Sequence, residues 1–263
     1  MEKYKLIVIL GPTAVGKTAF SLYLAKKLNT EIISGDSMLV YKDFNIGAAK
    51  PSREELNEVK HHLIDILPPN ANYNVMDFCA AAKKIIADLN NNGKIPILAG
   101  GTGLYVKSLI EGYEFSEDKQ KSRESYFLKT GELTYNAFVI GLRRERAALY
   151  ERINRRVDLM IEEGLFEEVR NLLKTVDINS QAMNGIGYKE AALYLNDKIS
   201  KEEAIENIKK NTRHFAKRQF TWYKKMPYIN WYDIDKFDEN ELFEKIYCDV
   251  SKFEVKNERI SNS

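Results

Sequence analysis

Gly11-Pro12-Thr13-Ala14-Val15-Gly16-Lys17-Thr18 places glycine at the first and sixth positions and follows the second glycine with lysine and threonine. That spacing is the pattern of a phosphate-binding loop. Glycines let successive backbone N–H groups curl around an anion, and the first turn of a following helix adds its partial positive charge. Lys17 then reaches a terminal phosphate, and the Thr18 hydroxyl can hold Mg²⁺. Asp36 stands just after the apolar pair Ile32-Ile33, where a carboxylate could take a proton from a reacting amine or hydroxyl, or simply cap a turn. Gly100-Gly101-Thr102-Gly103 follows another apolar run and offers a hydroxyl among glycines, or a tight strand-to-helix turn. Arg146 opens a helical stretch and could grip a departing diphosphate, or lie exposed on that helix.

A different chemistry is written between Asn207 and Lys225, which contains no acidic residue. Helical projection puts Lys210, Arg213, His214, Lys217, Arg218, Thr221, Lys224 and Lys225 on one face, with Phe215, Gln219, Trp222 and Tyr223 opposite. The apolar side would pack inward and the basic side would face phosphates of a nucleic acid, although a solvated lysine face has the same pattern.

Both features need a scaffold. Leu6 to Leu10 reads as a buried strand, and Ser21, Leu24, Ala25 and Leu28 then recur at helical spacing. Ile32-Ile33 starts a second strand, Val75, Phe78, Ala82, Ile85 and Leu89 form a helical stripe, and Ile95 to Ala99 and Ala137 to Ile140 return as strands. Strands alternating with helices predict an α/β fold: a P-loop NTPase-like parallel sheet with flanking helices. From Arg146 to about Lys225 the spacing is helical, with stripes at Leu149, Ile153, Met160 and at Leu165, Val169, Leu172. The expected organisation is a first part of the core over 1–111, a polar insertion over 112–135, core completion with a helical C-terminal half over 136–250, and a frayed tail over 251–263.

Composition narrows the class. The chain has 263 residues, enough for a core that needs no staple. Cys79 and Cys248 lie far apart and only His61, His62 and His214 accompany them, so neither a disulfide framework nor a Cys/His metal site is indicated. His61 and His62 read as structural or capping residues. A reduced, cytoplasmic setting fits, and the longest early apolar run is too short to span a membrane. The net charge of +2 leaves nucleic-acid binding to local charge distribution.

Taken in order, these stretches resemble the tRNA dimethylallyltransferases, also called tRNA isopentenyltransferases. The likeness is carried by Gly11 to Thr18, Ser34-Gly35-Asp36-Ser37 with Val40-Tyr41, Ile46-Gly47 leading to Ala49-Lys50-Pro51, and His61-His62-Leu63-Ile64-Asp65. It continues in Gly100 to Tyr105, in Leu149-Tyr150, Arg152-Ile153, Arg156-Val157-Asp158, Met160 and Gly164-Leu165, then in Ile186 to Glu190 and Thr212-Arg213 through Trp222. The resemblance implies dimethylallyl diphosphate as donor, Mg²⁺ at Thr18, and the tRNA anticodon stem-loop as acceptor, alkylated on an adenosine amine by a monomeric enzyme. Together with the residue readings above, it points catalysis to Asp36, Lys17, Thr102 and Arg146, and the donor diphosphate to Gly11 through Thr18. It gives the tRNA to Asp36, Ser37, Met38, Leu39 and Thr102, to which the basic face read above adds Lys210, Arg213, Lys217 and Arg218. Members of this family usually carry a longer helical insertion after the Gly100 to Tyr105 turn. Here only 112–135 fills that gap, with 122–131 resembling the insertion's final helix, which implies a weakened grip on tRNA. A P-loop small-molecule kinase, an adenylate isopentenyltransferase and a noncatalytic tRNA-binding relative remain open at this level.

Overall fold

The computed structural model describes residues 3–113 and 133–261, with side chains as far as Phe253. In chain order the elements are β1 (Lys5–Leu10), α1 (Lys17–Lys27), β2 (Ile32–Ser34), α2 (Arg53–Glu58), β3 (His61–His62), α3 (Val75–Asn91), β4 (Ile97–Gly100) and α4 (Gly103–Ile110). They continue with β5 (Asn136–Arg143), α5 (Arg146–Glu162), α6 (Leu165–Leu172), α7 (Tyr188–Leu195), α8 (Lys201–Tyr223), β6 (Asn230–Asp233) and α9 (Glu239–Ser261). Among the described residues the strands form one six-stranded sheet in the order β3-β2-β4-β1-β5-β6, with every pair parallel. The expected α/β class and parallel sheet are borne out.

β1 sits at the centre, with Ile7 opposite Ile97 of β4 on one side and Phe138 of β5 on the other. A central parallel strand is covered on both faces, which is why Leu6 to Leu10 are apolar without interruption. Alternation sends Leu6, Val8 and Leu10 into the layer beneath α3, α4 and the helical half. Ile7 and Ile9 point into the opposite layer, formed with Phe20 and Leu24 of α1 and Leu242 and Ile246 of α9. Parallel pairing also brings the carboxyl ends of β1, β2 and β4 to one edge, where the loops carrying Lys17, Asp36 and Thr102 emerge.

Three elements depart from the sequence reading. The edge strands β3 and β6 are two and four residues long, built from His61-His62 and Asn230-Trp231-Tyr232-Asp233, so no apolar run announces them. The histidines do prove structural: His62 Nε2 lies 2.7 Å from Glu31 Oε2, and His61 Nδ1 lies 2.7 Å from the Val59 carbonyl. The frayed tail expected over 251–263 is corrected, because α9 runs on to Ser261. No glycine or proline interrupts it, and its stripe of Leu242, Phe243, Ile246 and Val250 continues into Phe253, whose ring centroid lies 5.4 Å from that of Phe138. Most of the expected insertion, 114–132 with its 122–131 stretch, lies outside the described residues. Its two stems are tied together, since Thr134 N donates to the Ile110 carbonyl at 2.8 Å.

Candidate active site

The loop between β1 and α1 is shaped by its glycines. Gly11 has φ +156° and its backbone passes so close to β5 that a Cβ would sit 2.7 Å from the Leu142 carbonyl oxygen. Gly16 caps α1 with φ +117°, a left-handed conformation that L side chains rarely adopt. Lys17 opens the helix and folds back, its ammonium donating to the carbonyls of Gly11 and Pro12 at 2.9 Å each. Withdrawal from water lowers its pKa to about 8; the Asp36 carboxylate opposes that fall and the Arg156 guanidinium adds to it. A lysine, a carboxylate and an arginine therefore act on one another across three elements.

Asp36 follows β2. Its Oδ1 accepts the Met38 N–H at 2.8 Å, and Oδ2 has no hydrogen-bond partner among the described residues. The turn is held to the next loop by Thr102, whose Oγ1 accepts the Ser37 N–H at 3.0 Å and donates to Ser37 Oγ at 3.3 Å. Glycine makes this approach feasible: a Cβ on Gly100 would lie 2.5 Å from the Gly35 carbonyl oxygen. Thr102 thus touches the Asp36 turn directly, as the placement of both residues after neighbouring parallel strands requires.

Three cavities meet here. The largest, about 850 Å³, is lined by Gly16, Lys17, Thr18, Lys50, Arg152 and Arg156. A second, about 410 Å³, is lined by Asp36, Met38, Thr102, Arg156, Ile186 and Arg218. The third, about 110 Å³, joins Lys17 and Asp36 to an apolar wall that includes Ile32, Leu39, Ile64 and Ala99. Arg156 lines all three; of the expected residues, Thr13, Ala14, Gly16, Lys17, Thr18 and Asp36 to Leu39 border one or more of these cavities, whereas Gly11, Pro12 and Val15 line none of them.

Arg146 is not gathered with them. It is exposed in the first turn of α5, its guanidinium 5.1 Å from the Tyr150 ring centroid, and it lines none of these cavities. The arginines beside the glycine loop are Arg152, whose Nε donates to the Ala14 carbonyl at 3.1 Å, and Arg156, 3.5 Å from the Thr13 hydroxyl. Burial lowers the Arg156 pKa, against the pull of Asp36. Their four-residue spacing beside the apolar stripe of Leu149, Ile153 and Val157 was the available signal.

A second missed pair shapes the wall between the two larger cavities. Glu168 of α6 accepts N–H groups from Asn45 at 3.1 Å, Ile46 at 2.8 Å and Gly47 at 3.2 Å. Tyr188 of α7 donates to Glu168 Oε1 at 2.8 Å and accepts the Ala48 N–H at 3.0 Å. Gly47 lies flat against the Tyr188 ring, where a Cβ would come within 2.6 Å.

On α8, Gln219 and Tyr223 are buried as projection required, while Lys210, Lys217 and Arg218 face outward. Arg213 is half-buried and donates to Asn154 Oδ1 at 2.6 Å, so part of its charge is committed to α5. Trp222, projected inward, is 40% exposed and packs over Gly103. Its neighbours His214, Lys217, Arg218, Thr221 and Lys225 line a shallow basic depression with it.

Among the described residues no group of three His, Cys, Asp or Glu side chains could hold a metal by itself, and no helix is long and apolar enough to cross a membrane. Thr18 is exposed at the mouth of the largest cavity beside Lys17, a donor set suited to a hard cation that takes most of its ligands from phosphate oxygens and water.

Sequence and fold are both shared with known proteins. The chain matches the family described as IPP transferase over residues 39–132 and 120–226. It is 41% identical to the tRNA dimethylallyltransferase of Carboxydothermus hydrogenoformans over 302 aligned positions, covering 94% of this chain and 97% of that one. With the tRNA dimethylallyltransferase of Macrococcus caseolyticus the identity is 38%, covering 96% and 98%. The first alignment is longer than the 263-residue chain, so that relative carries residues within the matched region that this chain lacks. The structure superposes on the full-length tRNA isopentenylpyrophosphate transferase of Bacillus halodurans with a TM-score of 0.91 at 35% identity, covering 99% and 100%. A eukaryotic dimethylallyltransferase captured acting on tRNA gives 0.80 at 25% identity, covering 98% and 80%. Sequence likeness along nearly the whole length and the shared parallel-sheet fold agree, and the chain belongs to the tRNA dimethylallyltransferase, or IPP transferase, family.

Proposed function

We propose that this protein transfers the dimethylallyl group of dimethylallyl diphosphate to the exocyclic amine of an adenosine next to the anticodon in tRNA. The observation that carries this reading is the position of Asp36, which borders both the phosphate-loop lysine's cavity and the cavity reaching α8. The diphosphate lies in the loop from Gly11 to Thr18, held by backbone N–H groups, Lys17 and the two α5 arginines Arg152 and Arg156. The five-carbon chain suits the small cavity with its apolar wall. An adenosine unstacked from the anticodon loop enters the 410 Å³ cavity between Asp36, Thr102 and Ile186.

The chemistry then balances without a covalent enzyme intermediate. The amine nitrogen attacks the allylic carbon, a C–N bond forms, the C–O bond to diphosphate breaks, and the Asp36 carboxylate takes the amine proton. Lys17, Arg152 and Arg156 stabilise the charge gathering on the leaving diphosphate. Mg²⁺ bound at Thr18 would neutralise part of that charge. Thr102 fixes the Asp36 turn through Ser37. Ser37 and Met38 line the acceptor's cavity, Leu39 belongs to the apolar wall beside the donor's chain, and Lys210, Arg213, Lys217 and Arg218 meet the RNA backbone. The cell compartment that fits is the cytoplasm and the working unit a monomer.

The test is transfer of labelled prenyl from dimethylallyl diphosphate to an anticodon stem-loop over a wide RNA range at low and moderate salt. Product on the target adenosine, with weak affinity that rises at low salt, is expected of a chain with a short insertion. Transfer to free AMP in preference to the stem-loop, or donor binding with no transfer at any RNA concentration, would reject the reading.

A further inference from the structure

One buried amide connects the two substrates' supports. Gln219 of α8 is 5% exposed. Its Oε1 accepts the Thr13 N–H of the glycine loop at 2.8 Å, and its Nε2 donates to the Gly101 carbonyl at 2.8 Å. The two bonds fix the amide's orientation, since one end must accept and the other donate. Gly101 immediately precedes Thr102, and a Cβ there would lie 2.7 Å from Gln219 Nε2 and 3.5 Å from Asp36 Oδ2, so the amide sits at the edge of the reacting centre. Tyr223, one helical turn on, also donates to the Gly101 carbonyl, at 2.8 Å.

The partners divide in a useful way. Gly101 O has two donors and keeps one if Gln219 is lost. Thr13 N has Gln219 alone as its hydrogen-bond acceptor among the described residues. Gln219 is thus the specific link from α8 to the glycine loop, whereas Tyr223 docks α8 on the Thr102 loop without touching Thr13. On the outer face of the same helix, two residues or fewer from Gln219, stand the exposed Lys217 and Arg218.

We infer that Gln219 is a positioning residue that couples the substrates: RNA seated on the outer face of α8 tightens the glycine loop's hold on the donor diphosphate. This rests on the donor and acceptor placement proposed above. RNA contacts restrain α8, Gln219 moves with the helix, and the Thr13 end of the loop is thereby ordered before the donor arrives, so less ordering entropy opposes donor binding. Linkage makes the effect reciprocal, and the donor tightens RNA by the same factor. An amide does not titrate, so Gln219 itself adds no pH dependence near neutrality.

The experiment uses the full chain and the unreactive analogue dimethylallyl S-thiolodiphosphate, titrated by calorimetry with and without a saturating anticodon stem-loop. In the wild type RNA should tighten the analogue by about five-fold or more. In Gln219→Leu, and in Gln219→Asn should the first fail to fold, the ratio of the two affinities should fall toward unity. Tyr223→Phe should keep the wild-type ratio. An undiminished ratio in a folded Gln219 variant overturns the coupling role, as does a wild type that binds both ligands with a ratio of one. A wild type that binds neither analogue nor stem-loop overturns instead the placement on which the inference rests.

Discussion

The Tyr188 hydroxyl donates to Glu168 Oε1 at 2.8 Å while accepting the Ala48 N–H at 3.0 Å, so two helices of the C-terminal half hold a loop more than a hundred residues earlier in the chain. That loop, from Asn45 to Lys50, walls both larger cavities. Its consecutive N–H groups would otherwise be unsatisfied at a partly buried position, and the Glu168 carboxylate answers three of them.

Tyr188→Phe removes the acceptor for Ala48 N and one donor to Glu168 while keeping the ring against Gly47. The expected cost is about 1–3 kcal/mol of stability, from stranded polar groups rather than lost packing. Urea unfolding with an unchanged m-value checks it. A loss no larger than that of a surface substitution would remove the pair from the support of this loop.

Lys17 gives a pH signature. Its free-state pKa of about 8 lies below the ordinary lysine value, so the ammonium is present below that pH and is lost as pH rises through it. A bound diphosphate favours the charged form and raises the pKa, so donor binding should take up protons near pH 8 and weaken above it. Calorimetry in two buffers of different ionisation enthalpy at pH 8 to 9 reads the uptake directly. Lys17→Ala should weaken donor binding, lower the rate by about 10² or more and abolish the uptake.

The arginines of α5 separate by position. Arg156→Ala should lower the transfer rate by about 10² or more, because it removes a desolvated guanidinium that borders every cavity of the site. Arg146→Ala should leave single-turnover transfer near the wild-type rate. The reverse order of effects would restore Arg146 to the site.

Much of this architecture was legible in the sequence, for identifiable reasons. Leu6 to Leu10 and the glycine spacing after it announce a central parallel strand and its loop because burial on both faces and left-handed backbone leave strong local marks. Asp36 and Thr102 were legible because each follows such a strand. β3 and β6 were not, since edge strands bury little, and α9 was misjudged because its stripe continues past the point where apolar density thins. Arg152 and Arg156 stand in the family stretches and at four-residue spacing, but a role for them comes only with the crossing of α5 over the glycine loop, which leaves Arg146 outside. Glu168 and Gln219 were invisible as site residues for the same reason, since the loops they hold, at Asn45 and at Thr13, lie more than a hundred residues away along the chain.

Charge reversal of the outer α8 face tests the RNA surface. Lys210→Glu with Lys217→Glu should weaken stem-loop binding and lower the slope of log affinity against log salt by about two units, one for each phosphate contact. Donor affinity measured without RNA should not change. Equal salt slopes in wild type and variant would return this face to ordinary solvated lysines.

The central claim, that Asp36 takes the proton as the C–N bond forms, is tested most directly by Asp36→Asn in single-turnover transfer to a saturating anticodon stem-loop, with donor binding measured in parallel. Asparagine keeps an oxygen for the Met38 N–H bond, so the turn and the donor site should persist. The account predicts a transfer rate lower by about 10² to 10⁴ with donor affinity close to that of the wild type. A single-turnover rate near that of the wild type would contradict it.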